Sequence, residues 1–382
     1  MAGLYLHIPF CKQRCIYCDF YSTTLGQDFR DLYVEALCRE IRLRRDYLGE
    51  ESSLKSVYFG GGTPSLLSVK ELERIFTCIN EVFTLEDGAE ITLEANPDDL
   101  TMDYISDLRS LPINRLSMGL QTFNDKFLET LHRRHNSAKG LQAVENCLAG
   151  GFENLSIDLM YGLPGQTLED WSDDLDKALS LNVKHLSAYS LIYEEGTPLW
   201  KMRSRGEVSE ADEELSLQMF NLLQDRARES GFEHYEISNF AIPGYQAVHN
   251  SSYWSGASYL GCGPAAHSYN GMERRWNLPD VKSYVAAIGD VPHGSEMLDN
   301  KTRYNETIIT GLRTSRGINL DELSEMYGSD EVDYLLRMAQ PSLSRGLLRC
   351  DGAESGKKGV LRLTREGLFV SDDIMSDLLD VE

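Results

Sequence analysis

Three cysteines, Cys11, Cys15 and Cys18, fall within eight positions of Pro9-Phe10-Cys11-Lys12-Gln13-Arg14-Cys15-Ile16-Tyr17-Cys18-Asp19-Phe20. Thiolates at that spacing can wrap a compact inorganic core. A zinc ribbon would need a second Cys or His pair at suitable spacing, and none is evident. Three ligands suit a four-iron, four-sulfur cluster whose fourth iron stays open to a small molecule, whereas a closed four-Cys site only carries electrons. The alternative is a surface loop with three unligated thiols, which would be oxidation liabilities. Cys38, Cys78 and Cys147 lie in helix-like segments and read as small core hydrophobes.

A second group of residues sits where short apolar runs end. Tyr58-Phe59-Gly60-Gly61-Gly62-Thr63-Pro64 closes one run with glycines that allow close backbone approach to a ligand. Glu94 ends the next, Gln121 the one after, and Asp158 lies inside Ser156-Ile157-Asp158-Leu159-Met160-Tyr161. Burying such groups without partners is costly. They belong either to a hydrogen-bond network at the sheet end or to a bound polar ligand.

The elements that would position these residues repeat one theme. Strand-like runs at Leu4–Ile8, Leu54–Phe59, Ala89–Glu94, Arg115–Gly119, Leu155–Tyr161 and His185–Ile192 alternate with helix-like stretches at Phe29–Leu48, Val69–Phe83, Thr101–Arg109, Ser137–Ala149 and Leu168–Leu179. Ser68 ahead of Val69-Lys70-Glu71 has capping-box spacing. This alternation predicts an α/β fold, an incomplete (β/α)6 barrel over 1–195, with chemistry on loops after the C-terminal strand ends. Residues 196–295 read as an extension: an acidic helix over Glu207–Glu229, a strand over Phe232–Ile237, and a functional loop region from Ser238 to Asn277. Residues 296–382 read as a small α+β unit, winged-helix-like, with helices at Asp321–Tyr327 and Val332–Gln340 and a hairpin at Leu347–Arg362.

The chain has 382 residues, 42% of them apolar, which excludes wholesale disorder. Lys plus Arg is 37 and Asp plus Glu is 60, a formal net charge of −23. So acidic a chain lacks the positive field that drives phosphate-backbone binding, so no nucleic-acid partner is expected. Its apolar runs are short, and neither a secretory signal nor an integral membrane segment is read. A cytoplasmic location is expected.

CX3CX2C on the loop after strand one, with Tyr17 before the last cysteine, resembles the radical S-adenosylmethionine (SAM) superfamily. The resemblance implies a cluster held by Cys11, Cys15 and Cys18, with exchangeable SAM chelating the open iron and split to a 5′-deoxyadenosyl radical once the cluster is reduced. Gly61, Gly62 and Thr63 match the element that holds the methionyl amino group. By the same resemblance Glu94, Gln121, Arg133 and Asp158 contact SAM or orient the groups that do, and Tyr5 and Tyr17 belong to that site. The spacing there marks only the pair Arg133 and Arg134. Leu6-His7-Ile8-Pro9-Phe10-Cys11, Ser117-Met118-Gly119-Leu120-Gln121 and Asp158-Leu159-Met160-Tyr161-Gly162-Leu163-Pro164 resemble the HemN-like branch.

That branch contains oxygen-independent coproporphyrinogen III oxidases and HemW-type heme chaperones. Oxidases carry a further Cys where Phe20 stands, and they have a long N-terminal extension, whereas Cys11 comes early here. His249-Asn250-Ser251-Ser252-Tyr253-Trp254 resembles the chaperones' HNxxYW motif, although the residue after Asn250 is often Asn and is Ser251 here. This implies heme as ligand, His249 as its axial ligand, and delivery to an acceptor such as a respiratory enzyme. On residue chemistry alone, His249 reads as a hydrogen-bonded loop histidine beside two packing anchors. Cys262 and His267 are further candidate ligands, and Arg274 and Arg275 candidate partners of the heme propionates. The alternatives are decarboxylation of a porphyrinogen with a reductant protein, a radical enzyme for another substrate, or a plain electron carrier. Whether SAM is turned over stays open at this point.

Overall fold

Six parallel strands carry the N-terminal half: β1 (Ala2–Ile8), β2 (Ser53–Gly61), β3 (Thr84–Ala95), β4 (Arg115–Gln121), β5 (Leu155–Tyr161) and β6 (His185–Ser190), each pairing with the next. Between them run α1 (Gln27–Leu43), α2 (Val69–Val82), α3 (Met102–Leu108), α4 (Asp125–Thr130), α5 (Ser137–Ala149) and α6 (Leu168–Ser180). The computed structural model describes residues 2–49, 53–352 and 358–381. On β1 the period-two alternation buries Leu4, Leu6 and Ile8 in the core shared with the helices and turns Tyr5 and His7 to the other face, where both line a cavity. The expected capping box is present: Ser68 Oγ accepts from Glu71 N at 3.3 Å, and Glu71 Oε2 accepts from Ser68 N at 2.7 Å.

The stretch after β6 contains α7 (Pro198–Ser204), α8 (Glu213–Glu229), β7 (Glu233–Glu236), β8 (Asn239–Ala241), α9 (Val248–Trp254), β9 (Tyr259–Cys262), β10 (His267–Tyr269), β11 (Glu273–Asn277), α10 (Val281–Ala286) and β12 (His293–Met297). The expected loop region from Ser238 to Asn277 is therefore regular structure. β8 pairs antiparallel with β6, while β9 pairs parallel with β1, so this stretch extends both ends of one sheet. The sheet has twelve strands and stays open, ordered β12-β11-β10-β9-β1-β2-β3-β4-β5-β6-β8-β7. Composition misled here because Gly, Ser and Tyr occur in short strands whose pairing partners are remote. Two helices are also shorter than expected. α1 ends at Leu43, where the Arg44 side chain turns onto Glu40, Gly261 O and Ser268. α8 starts at Glu213, where the Asp212 side chain caps Leu215 N.

The C-terminal part comprises α11 (Asn300–Leu312), β13 (Ile318–Asn319), α12 (Leu320–Tyr327), α13 (Ser329–Ser344), β14 (Leu348–Asp351), β15 (Val360–Leu363), α14 (Arg365–Leu368) and α15 (Ser371–Asp377). It has its own core, including Ile308, Leu312, Leu323, Leu335 and Leu361, under a three-stranded antiparallel sheet. The expected hairpin is β14 and β15; its tip, 353–357, lies outside the described residues.

Candidate functional site

The cysteine loop leaves β1 and is pinned by a backbone exchange, Cys11 N to Thr23 O at 2.9 Å and Thr23 N to Pro9 O at 2.6 Å. Cys11, Cys15 and Cys18 all open on one cavity of about 400 Å³, and Tyr17, Gly61, Gly62, Thr63, Glu94, Gln121, Arg133 and Asp158 line it with them. Eleven residues expected to share a site thus converge, from β1 to β5 and their following loops. Thr63 donates to Cys11 Sγ at 3.5 Å, and Arg133 Nη1 donates to Cys15 Sγ at 3.4 Å. Burial pushes the Cys11 thiol up, and pushes Cys18 up to about 11. Among the described residues no three His, Cys, Asp or Glu side chains gather tightly enough to grip one metal ion.

The opposite wall is built from strand ends. Gly61 sits at φ 108°, and a Cβ there would lie 2.7 Å from the His7 ring. At Gly62 a Cβ would meet Phe10 O at 2.8 Å, so both positions require glycine. Glu94 accepts from the Tyr58 hydroxyl at 2.7 Å and from Gly61 N at 3.2 Å. Burial, with a smaller contribution from nearby Asp158, pushes the Glu94 carboxyl up to about 7. Asp158 is raised by burial too, and accepts from Ser117 at 3.4 Å. Gln121 adopts φ 70°, a left-handed conformation uncommon outside glycine, beside a register shift between β4 and β5. Arg133 and Arg134 separate in space. Arg133 Nη2 donates to Gly119 O at 2.5 Å, while Arg134 is held by Asp99 at 3.0 Å. The buried Arg133 Nε has no partner among the described residues. Tyr189, at the end of β6, also lines this cavity and was not anticipated. Its signal was the one that marked Glu94 and Gln121, a polar group ending an apolar strand.

Tyr5 and His249 stand apart from that cavity. Tyr5 lines a larger one, of about 930 Å³, between the β1–β9–β10–β11 side of the sheet and the C-terminal α11 and α12. Tyr253 and Trp254 line it as well, but His249 does not. His249 is buried on α9, its Nδ1 2.8 Å from Ser56 Oγ and its Nε2 2.8 Å from the Tyr253 hydroxyl. Its ring stacks on Tyr58 at 5.0 Å, and burial holds its pKa down to about 3. The motif expected on a heme-binding loop is thus a helix, and neither imidazole nitrogen of His249 presents a lone pair to a ligand in this arrangement. The helix lacks a side-chain N-cap, and Glu90 replaces one, accepting from Val248 N and His249 N at 2.9 Å each. Cys262 is buried and lines neither cavity, whereas His267 and Arg274 face the large one. Arg274 is engaged by Glu296 and Glu306, and Arg275 by Asp290. Phe20 lines both cavities.

Residues 5–178 match the radical SAM superfamily, and residues 298–370 match the HemN C-terminal domain. The heme chaperone HemW of Bacillus subtilis is 34% identical over 383 residues, covering 99% of this chain and 99% of that protein. This chain belongs to the HemW family. The HemW of Lactococcus lactis is 37% identical, covering 85% of this chain and 84% of its own length. Coproporphyrinogen III oxidase HemN of Escherichia coli superposes with a TM-score of 0.85 over 100% of this chain and 90% of that one, at 22% identity. That likeness establishes the fold: a radical SAM core with a HemN-type C-terminal domain and an unclosed sheet. No helix among the described residues of this HemW-family chain is long and apolar enough to cross a membrane.

Proposed function

We propose that the chain is a heme chaperone that carries a four-iron, four-sulfur cluster on Cys11, Cys15 and Cys18, binds SAM beside it, and takes heme into the larger cavity. The observation that carries this reading is the pair of cavities, one lined by the cysteines and one by Tyr253 and Trp254 of the HNxxYW-like motif, meeting at Phe20. Membership in the HemW family supports it.

The residues of the smaller cavity fit their groups. Thiols pushed upward by burial are stabilised as thiolates by ligation to iron. Gly61 and Gly62 let the strand end close against the His7 ring and the backbone of Ile8, Pro9 and Phe10, where any Cβ would collide, and Arg133 Nε is a buried donor left over. When bound, the cluster and SAM supply one-electron chemistry or, without turnover, order the surrounding loop. Gly61, Gly62 and Thr63 would approach the methionyl part, with Glu94 and Asp158 offering negative charge to its cationic groups. Tyr17, Gln121 and Arg133 would complete the enclosure, and Arg133 would hold the Cys15 side of the loop.

In the larger cavity Tyr253 and Trp254 offer a porphyrin apolar and aromatic surface. His249 acts through Tyr253, which it holds by a hydrogen bond. It could serve as a ligand itself only by releasing that hydroxyl. The acceptor would be a heme-requiring protein, such as a respiratory enzyme, met in the cytoplasm, with a reductant protein if the cluster cycles. The chain reads as a radical SAM core over 1–195, an extension over 196–295 carrying the motif, and a C-terminal unit over 296–382 that closes the heme cavity.

Heme titration of anaerobically reconstituted protein tests this, with a coproporphyrinogen conversion assay on the same sample. A saturable Soret band without porphyrinogen conversion is expected. Conversion with SAM and reductant would replace the chaperone reading with the oxidase one.

A further inference from the structure

Three histidines stand at or beside the larger cavity, and their ring nitrogens differ in one respect. His7 is engaged on both sides, Nε2 with Tyr21 O at 2.9 Å and Nδ1 with the Tyr5 hydroxyl at 3.1 Å. His249 is engaged on both sides as well. His267 lines the cavity, is exposed, and has no ring hydrogen bond among the described residues.

We propose that His267 is the axial ligand of the heme iron in this cavity, with Arg303 receiving a propionate. This rests on the heme-chaperone reading above. β10 alternates so that Ser268 is buried, bonded to Gly261 and Arg44, while His267 and Tyr269 face the cavity. The His267 backbone is locked between β9 and β11. At Gly261 any side chain would collide with His267 O, and His267 pairs across the ladder with Trp276. The imidazole stacks on that indole, with centroids 6.2 Å apart and planes 25° apart, so its orientation is set before a ligand arrives.

A volume of about 930 Å³ lies within the range of about 300–1,000 Å³ usual for cofactor sites. Arg303 on α11 lines the same space; among the described residues it pairs with no carboxylate, and its Nη1 reaches only the Met272 sulfur at 3.9 Å. Glu306 and Glu322 line the same cavity but are paired with Arg274 and Arg316, so the Arg303 charge is left for an anionic substituent.

The test is ferric heme titration of the full chain, read by Soret position, affinity and the low-temperature EPR signature of histidine ligation. In His267→Ala the affinity should fall roughly tenfold or more and the histidine signature should vanish. Imidazole added to His267→Gly should restore that signature. Arg303→Gln should weaken affinity and leave the signature intact. Retention of the wild-type spectrum and affinity in His267→Ala, or loss of the signature in His249→Ala alone, overturns the assignment. Wild-type protein showing no saturable Soret change would instead remove the heme reading, and the ligand with it.

Discussion

His249 Nε2 lies 2.8 Å from the Tyr253 hydroxyl, one helical turn away on α9, while its Nδ1 meets Ser56 Oγ on β2. The histidine therefore braces a tyrosine that faces the large cavity. Removing it leaves two hydroxyls without a partner and a void beside Tyr58. His249→Ala should lower unfolding free energy by about 1–3 kcal/mol, measured by denaturant titration. Tyr253→Phe should cost about 1 kcal/mol. A His249→Ala protein as stable as wild type would contradict the brace.

The cysteine loop should hold about four irons per chain after anaerobic reconstitution. Replacing Cys11, Cys15 or Cys18 by Ser should each reduce iron content and the cluster absorbance. Cys38→Ser, buried between α1 and α2, should keep both. Equal iron in all four variants would place the cluster elsewhere.

Glu94, pushed up to about 7, makes the SAM site pH-dependent. Without SAM, the folded chain keeps a proton between pH 4.5 and about 7 that the unfolded chain releases. This group's contribution to stability therefore falls as pH rises through that window. SAM binding has the opposite slope, because its positively charged sulfonium favours the ionised carboxylate. Affinity by calorimetry should increase from pH 6 to about 8, with proton release at the acid end. Glu94→Gln should bind weakly and lose that slope; a slope preserved in the variant would assign it to another group.

Glu40 on α1 ties the sheet extension to the barrel. It accepts from Arg44 at 3.1 Å, Asn277 at 2.8 Å, Gly263 N at 2.8 Å and Tyr284 at 2.7 Å, all buried. Glu40→Ala strands the Arg44 charge and three further donors, so a loss of about 3–5 kcal/mol is expected. Protection of β9 and β11 amides against hydrogen exchange should fall with it. Protection unchanged from wild type would show that strand pairing alone holds the extension.

Much of the site was legible because its signals are local. Cysteine spacing, glycines at a strand end and polar residues closing apolar runs each lie within a few positions, and the barrel brings successive strand ends to one rim. The same logic applied to Tyr189 would have added it to the group. The HNxxYW-like motif was visible too, but the side its histidine faces was not. Exposure of an imidazole depends on Ser56, Tyr58 and Glu90, contributed by strands far away in the chain.

From the sequence alone came the βα alternation, the cluster loop and the acidic, apolar-cored character of the chain, since periodicity, caps and charge are written into neighbouring residues. Only the folded chain decided that β9 docks on β1, that Arg133 rather than Arg134 reaches Cys15, and that His267 is left open while His249 is sealed. Those outcomes depend on which remote groups satisfy each buried donor and acceptor. Such pairings exist only once separate elements have packed together.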